Sequence, residues 1–304
     1  MADLRTVIDG LAFPEGPRWH DGRLWFSDQH AHQVLALDPS GTVEEIVRVD
    51  HQPSGLGWTP DGALLVVSMI DQRLLRLDGH DLTEVADLSA LAVFHCNDMV
   101  VSAEGRAYVG SFGFDLDRGE RPRTAPLVEV EPDGRTSLAA DELQFPNGSV
   151  ITADGKTLVV AETVAGRLTA FTIEPDGTLT NRRVWAQLEG ALPDGICLDA
   201  EGAIWIACPL SRRCLRVREG GEVVDEIPTG DAAFACMLGG DDRTTLYICT
   251  SEMGLASDTV VSRPGRIQAR EVDVGGAEFR SRVRRARHVA GCVSSVSFRR
   301  ELQP

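Results

Sequence analysis

The sequence predicts an all-β fold, a six-bladed β-propeller, on three observations. A turn glycine recurs at Gly22, Gly62, Gly105, Gly155, Gly202 and Gly240, with separations of 40, 43, 50, 47 and 38 residues. A second set of turns lies between them: Ser40-Gly41, Asp78-Gly79, Asp133-Gly134, Asp176-Gly177 and Gly220-Gly221, with Pro264-Gly265 as a weaker sixth. Asp-Gly and Gly-Gly between apolar runs are hairpin signals, so each unit holds about four strands. Third, no segment sustains a 3.6-residue apolar period with caps, which predicts little helix.

The elements follow in order. Leu4-Arg5-Thr6-Val7-Ile8 reads as a strand that pairs with the last unit and closes the ring. A solenoid would need polar capping repeats, and none is visible. Each unit then carries a β-like run: Leu24-Trp25-Phe26, Leu64-Leu65-Val66, Ala107-Tyr108-Val109, Leu158-Val159-Val160, Ile204-Trp205-Ile206 and Leu246-Tyr247-Ile248. Residues 112–126, rich in Gly, Arg and Asp, read as a loop over one mouth of the channel. A single propeller domain is expected over 1–276. The basic segment 277–304 is expected to end the last blade or to form a surface appendage.

Composition narrows the partners. The net charge of −16 argues against nucleic acid. No apolar run reaches the length of a membrane span, so no membrane partner is expected. Residues 1–15 lack a basic start followed by an apolar core, so no secretory signal is read. Seven cysteines without a CxxC pair suit free core thiols and a cytoplasmic location. The sequence does not address oligomeric state.

One phrase precedes the strand run in every unit. It reads Phe13-Pro14-Glu15-Gly16, Gln52-Pro53-Ser54-Gly55, His95-Cys96-Asn97-Asp98, Phe145-Pro146-Asn147-Gly148, Leu192-Pro193-Asp194-Gly195 and Phe234-Ala235-Cys236-Met237. Ser54, Asn97, Asn147, Asp194 and Cys236 each fall eleven residues before the equivalent strand position, and Glu15 falls ten before Trp25. Equal phase in a closed repeat means equal place in space. Glu15, Asn97, Asn147 and Asp194 are therefore expected to converge on the channel axis. Singly, Asn, Asp and Ser are ordinary turn formers. Four in phase instead make an oxygen cage in which two carboxylates repel each other, a conflict that a divalent cation resolves. All-oxygen donors suit Ca²⁺ first, with Mg²⁺, Mn²⁺, Zn²⁺ or Fe²⁺ as alternatives. His95, two residues before Asn97, is expected at the mouth of the same channel. Cys236 is expected to hold the sixth equivalent position in a packing role.

These phrases resemble the gluconolactonase/regucalcin family, also called the senescence-marker-protein family, of six-bladed propeller metalloenzymes. The strongest block runs from Leu192-Pro193-Asp194-Gly195 to Ile204-Trp205-Ile206-Ala207-Cys208. The resemblance implies metal ligands at Glu15, Asn147 and Asp194. It implies a substrate-facing Asn97 that also approaches or binds the metal. Family members that open sugar lactones commonly carry Arg where this chain has His95.

The expected function is a metal-dependent hydrolase that opens a lactone, with Asp194 accepting a proton from the attacking water and His95 and Asn97 orienting the substrate. His95 in place of Arg, with Phe112 and Phe114 on the following loop, suggests a more apolar substrate than a sugar acid. The alternatives are a linear ester or organophosphate at the same site, or a calcium-binding regulatory or scaffold propeller without turnover.

Overall fold

The computed structural model describes residues 3–277. Six four-stranded antiparallel sheets make six blades around one axis. Strand β1 (Arg5–Leu11) comes first in the chain but belongs to the last blade. Blade one is β2 (Pro14–His20), β3 (Arg23–Asp28), β4 (Gln33–Leu37) and β5 (Val43–Arg48). Blade two is β6 (Pro53–Trp58), β7 (Leu64–Ser68), β8 (Arg73–Asp78) and β9 (Asp81–Asp87). Blade three is β10 (Cys96–Val101), β11 (Ala107–Ser111), β12 (Ala125–Val130) and β13 (Thr136–Leu143). Blade four is β14 (Pro146–Ile151), β15 (Thr157–Glu162), β16 (Arg167–Ile173) and β17 (Leu179–Gln187). Blade five is β18 (Ile196–Leu198), β19 (Ile204–Cys208), β20 (Arg213–Val217) and β21 (Val223–Pro228). Blade six is β22 (Ala232–Gly239), β23 (Thr245–Ser251) and β24 (Gly265–Glu271), completed by β1.

The expected ring closure is present: Arg5 opposes Ala269 and Ile8 opposes Ile267. The first strand of each blade is innermost and touches its counterparts on both sides around the ring. Core residues fill the spaces between blades. Trp205, Cys197, Ile227 and Leu246, for example, pack together between blades five and six. The expected basic appendage lies outside the described residues, beyond Ala277.

The strand-to-strand turns divide between two ends of the channel. The phrases that open the inner strands share one end with the links between second and third strands. Two of those links are long: residues 112–124 in blade three and residues 252–264 in blade six. Blades three and six are diametrically opposed in a ring of six. The second link carries the short helix α1 (Ala256–Ser262), which the sequence did not predict.

Candidate metal centre and its mouth

Glu15, Ser54, Asn97 and Asn147 sit at bulges. The pairing register slips between Glu15 and Arg18, between Pro53 and Leu56, between Cys96 and Met99, and between Pro146 and Ser149. A bulge bends the strand and re-aims a side chain, here at the top of each inner strand. The glycine that follows has a packing reason. A Cβ on Gly55 would lie 2.4 Å from the Met99 nitrogen, and one on Gly148 would lie 2.6 Å from the Ile196 nitrogen. Inner strands thus approach backbone to backbone at this level. Blade three departs from the pattern, with Asp98 in the glycine position.

The carboxylates of Glu15 and Asp194 act on each other. Burial pushes the Glu15 carboxyl up to about 8; the Gly16 N–H opposes the rise, Asp98 adds to it and Arg18 opposes it. Burial first, and then the charge of Glu15, raises the Asp194 carboxyl well above the usual carboxylate range. Asn147 donates to Asp194, and its Nδ2 also donates to Thr163 Oγ1 at 3.2 Å. Asn147 Oδ1 accepts no hydrogen bond among the described residues. Glu15 Oε2 accepts the Gly16 N–H at 2.9 Å, which leaves Oε1 without a donor among the described residues. Asn97 is buried, and its Oδ1 takes only a long contact of 3.4 Å from Ser54 Oγ.

Arg18 and Asp98 form the floor. Arg18 Nη2 donates to Asp98 Oδ1 at 2.7 Å and to the Met99 carbonyl at 2.6 Å. Arg18 Nη1 donates to the Pro17 carbonyl at 2.9 Å. Neither Arg18 nor Asp98 was singled out from sequence.

The donor set fits a hard divalent cation. Among the described residues, two crowded carboxylates lack a compensating charge beyond Arg18, and amide and carboxylate oxygens are left without donors. Among the described residues no group of three His, Cys, Asp or Glu is placed to hold a metal, so any such site relies on the two carboxamides.

The sixth position differs from expectation. Cys236 opposes Ile248 just as Leu56 opposes Val66 and Met99 opposes Val109, two residues beyond the ring of Ser54 and Asn97. Measured at equivalent pairs, the hairpin from β22 to β23 is two residues longer than those of blades two, three and five, and this shifts the count. Phe234 takes the ring position instead. Cys236 is buried beside Cys197, with sulfurs 3.9 Å apart, in the expected packing role.

The mouth is aromatic on two sides. On one, Phe13 stacks on His30 at 4.5 Å and tilts against Phe234 at 4.6 Å. The His30 Nδ1 lies 2.6 Å from Thr259 Oγ1 of α1. On the other, His95 stacks on Phe94 at 3.9 Å and stands edge-on to Phe112 at 6.2 Å. Phe112 in turn tilts against Phe145 at 4.7 Å. Phe114, expected to help cover the mouth, is instead buried and meets Phe145 edge-on, anchoring the long link of blade three. Burial lowers the pKa of His95, against the pull of Asp115 and Asp117.

The chain belongs to the SMP-30/gluconolactonase/LRE-like family, whose model matches residues 13–252. It is 25% identical to regucalcin of Xenopus laevis over 268 residues, covering 85% of this chain and 90% of that protein. It is 26% identical to the 6-deoxy-6-sulfogluconolactonase of Pseudomonas putida over 274 residues, covering 86% and 92%. The solved structure of a luciferin-regenerating enzyme matches its fold with a TM-score of 0.78 at 17% identity, covering 91% of this chain and 97% of that one.

Proposed function

We propose that this protein is a divalent-cation-dependent lactonase whose substrate is more apolar than a sugar lactone. Membership of the family and the lactonases among its relatives support the reaction class. The mutual pressure of Glu15 and Asp194, with Asn147 bonded to one of them, is the observation that carries the metal reading.

Glu15, Asn147 and Asp194 would hold the cation, with Asn97 beside them; Ca²⁺ is the first choice for oxygen donors. When bound, the cation supplies a Lewis acid for the lactone carbonyl and charge to balance the oxyanion. Asn147 fixes the Asp194 carboxylate by its hydrogen bond. The water oxygen bonds to the carbonyl carbon as Asp194 takes its proton. The ring C–O bond then breaks and the leaving oxygen takes that proton from Asp194, giving a hydroxy acid. Asn97 offers an amide to a substrate oxygen. His95, held flat against Phe94, offers at most two donors and carries no charge when neutral, which suits an apolar ester better than a polyhydroxylated one. Phe13, Phe112 and Phe234 keep water from the mouth.

The test is a turnover screen on metal-reconstituted protein, with and without chelator, across sugar lactones, apolar and aromatic lactones, linear esters and phosphotriesters. Chelator-sensitive hydrolysis that favours apolar lactones is expected. Turnover unaffected by chelator would overturn the metal reading. Binding of calcium without turnover of any class would point to a regulatory propeller instead.

A further inference from the structure

Beneath the Arg18–Asp98 floor the channel widens into a chamber of about 840 Å³ that the proposed reaction does not use. Leu56, Ser149 and Ile196 line its upper part. Each lies two residues beyond Ser54, Asn147 or Asp194 along its chain, so the chamber starts just below the candidate centre. It opens at the opposite end, beside Asp21 and Asp61. This cavity is therefore distinct from the aromatic mouth.

Its walls have a definite chemistry. The His20 ring lies flat on Trp58 at 4.0 Å with an angle of 10° between planes, and Trp25 stands edge-on to Trp58 at 5.5 Å. Val101, Leu198 and Met237 add apolar wall, beside the polar Thr59, Ser102 and Ser149. Among the described residues the charged groups facing the chamber are Arg18, Arg243, Asp21 and Asp61, two of each sign. Arg18 is held by Asp98, and Asp61 by Arg76 at 2.8 Å. Burial favours the neutral form of His20, against the charge of Asp21. These four described groups carry no net charge to attract a charged ligand. The volume is ordinary for a small-molecule site, and an aromatic wall rewards a flat ligand.

We propose that this chamber is a second binding site, for an uncharged and largely aromatic small molecule that packs against the Trp58 and His20 rings. The site is independent of lactone turnover, so its test does not depend on the catalytic reading.

N-phenyl-1-naphthylamine, an uncharged dye, is titrated into the full-length protein as purified, with the anionic 8-anilinonaphthalene-1-sulfonate in parallel. Fluorescence should report saturable binding of the neutral dye and binding of the sulfonate weaker by about tenfold or more. Met237→Trp, which fills the chamber, and Trp58→Ala, which removes its wall, should each weaken the neutral dye by about tenfold or more. Phe112→Ala, at the mouth, should change it less than about twofold. Thermal melting checks that each variant folds; if Met237→Trp does not, Trp58→Ala decides. Absence of saturable binding, or binding lost with Phe112→Ala and kept in the chamber variants, overturns the site. Equal affinity for the sulfonate overturns the choice of an uncharged ligand.

Discussion

Arg18 Nη2 and Asp98 Oδ1 meet 2.7 Å apart inside the channel and join the inner strand of blade one to that of blade three, bypassing blade two. Burial raises the Asp98 carboxyl, and Arg18 is the cation that opposes this. Arg18→Met should therefore leave a buried carboxylate alone and cost about 3–5 kcal/mol, read as a lower urea midpoint. Arg18→Met with Asp98→Leu should recover most of that loss. A single-variant cost below about 1 kcal/mol would mean that the pair does not hold the blades together.

Glu15→Gln and Asp194→Asn each remove one of the two carboxylates that oppose each other in the ring. Each should abolish most stoichiometric divalent-cation binding, measured by elemental analysis after dialysis. Asn147→Ala should weaken binding less, because it removes a neutral donor. Wild-type metal content in both carboxylate variants would rule out the assigned ligands.

His95→Arg should move the ratio of kcat/KM values toward sugar lactones, because a guanidinium fork clamps several hydroxyl or carboxylate oxygens at once. His95→Ala should impair turnover less than Asp194→Ala, since the proposed role of His95 is to orient the substrate and that of Asp194 is to move the proton. Two kinetic series, one on sugar lactones and one on apolar lactones, decide both points. A wild-type enzyme that prefers gluconolactone to every apolar lactone tried defeats the apolar reading.

His30 links stability to pH. Burial holds its pKa down at about 4, with His32 adding to the shift, against an ordinary value of 6.5. Between these values the unfolded chain binds a proton that the native protein refuses. Stability should fall as pH drops from 6.5 toward 4. His30→Gln should flatten that slope by about one proton, in denaturation midpoints collected across the window. An unchanged slope would show that His30 titrates normally in the fold.

Much of this architecture is legible in the sequence because the repeat is periodic in both of its turns. The ring of Glu15, Ser54, Asn97, Asn147 and Asp194 could be read because each precedes its strand by a nearly constant count. Phe234 was missed where that count failed, in the one hairpin lengthened by two residues. The aromatic mouth left a signal that went unused: Phe13 and Phe145 both stand directly ahead of the proline of their phrases. Helix α1 is seven residues long and has no side-chain cap, too short for a period to emerge. The Arg18–Asp98 pair spans 80 residues, a partnership that only the closed ring reveals.

The pairing of β1 with β24 also sets the order in which the chain can mature. Residues 5–11 leave the ribosome well before their partner at 265–271, which follows some 260 residues later. At ordinary synthesis rates of about 5–20 residues per second, the earliest strand waits for tens of seconds with its hydrogen-bonding edge uncovered. Five blades can pair locally as they emerge; the sixth joins both ends of the sequence. That event makes contacts of very long range in sequence, and such contacts form slowly. Closure of the ring thus depends on a single seam that can form only after blade six has emerged, and an uncovered strand edge of this kind is open to pairing with another chain.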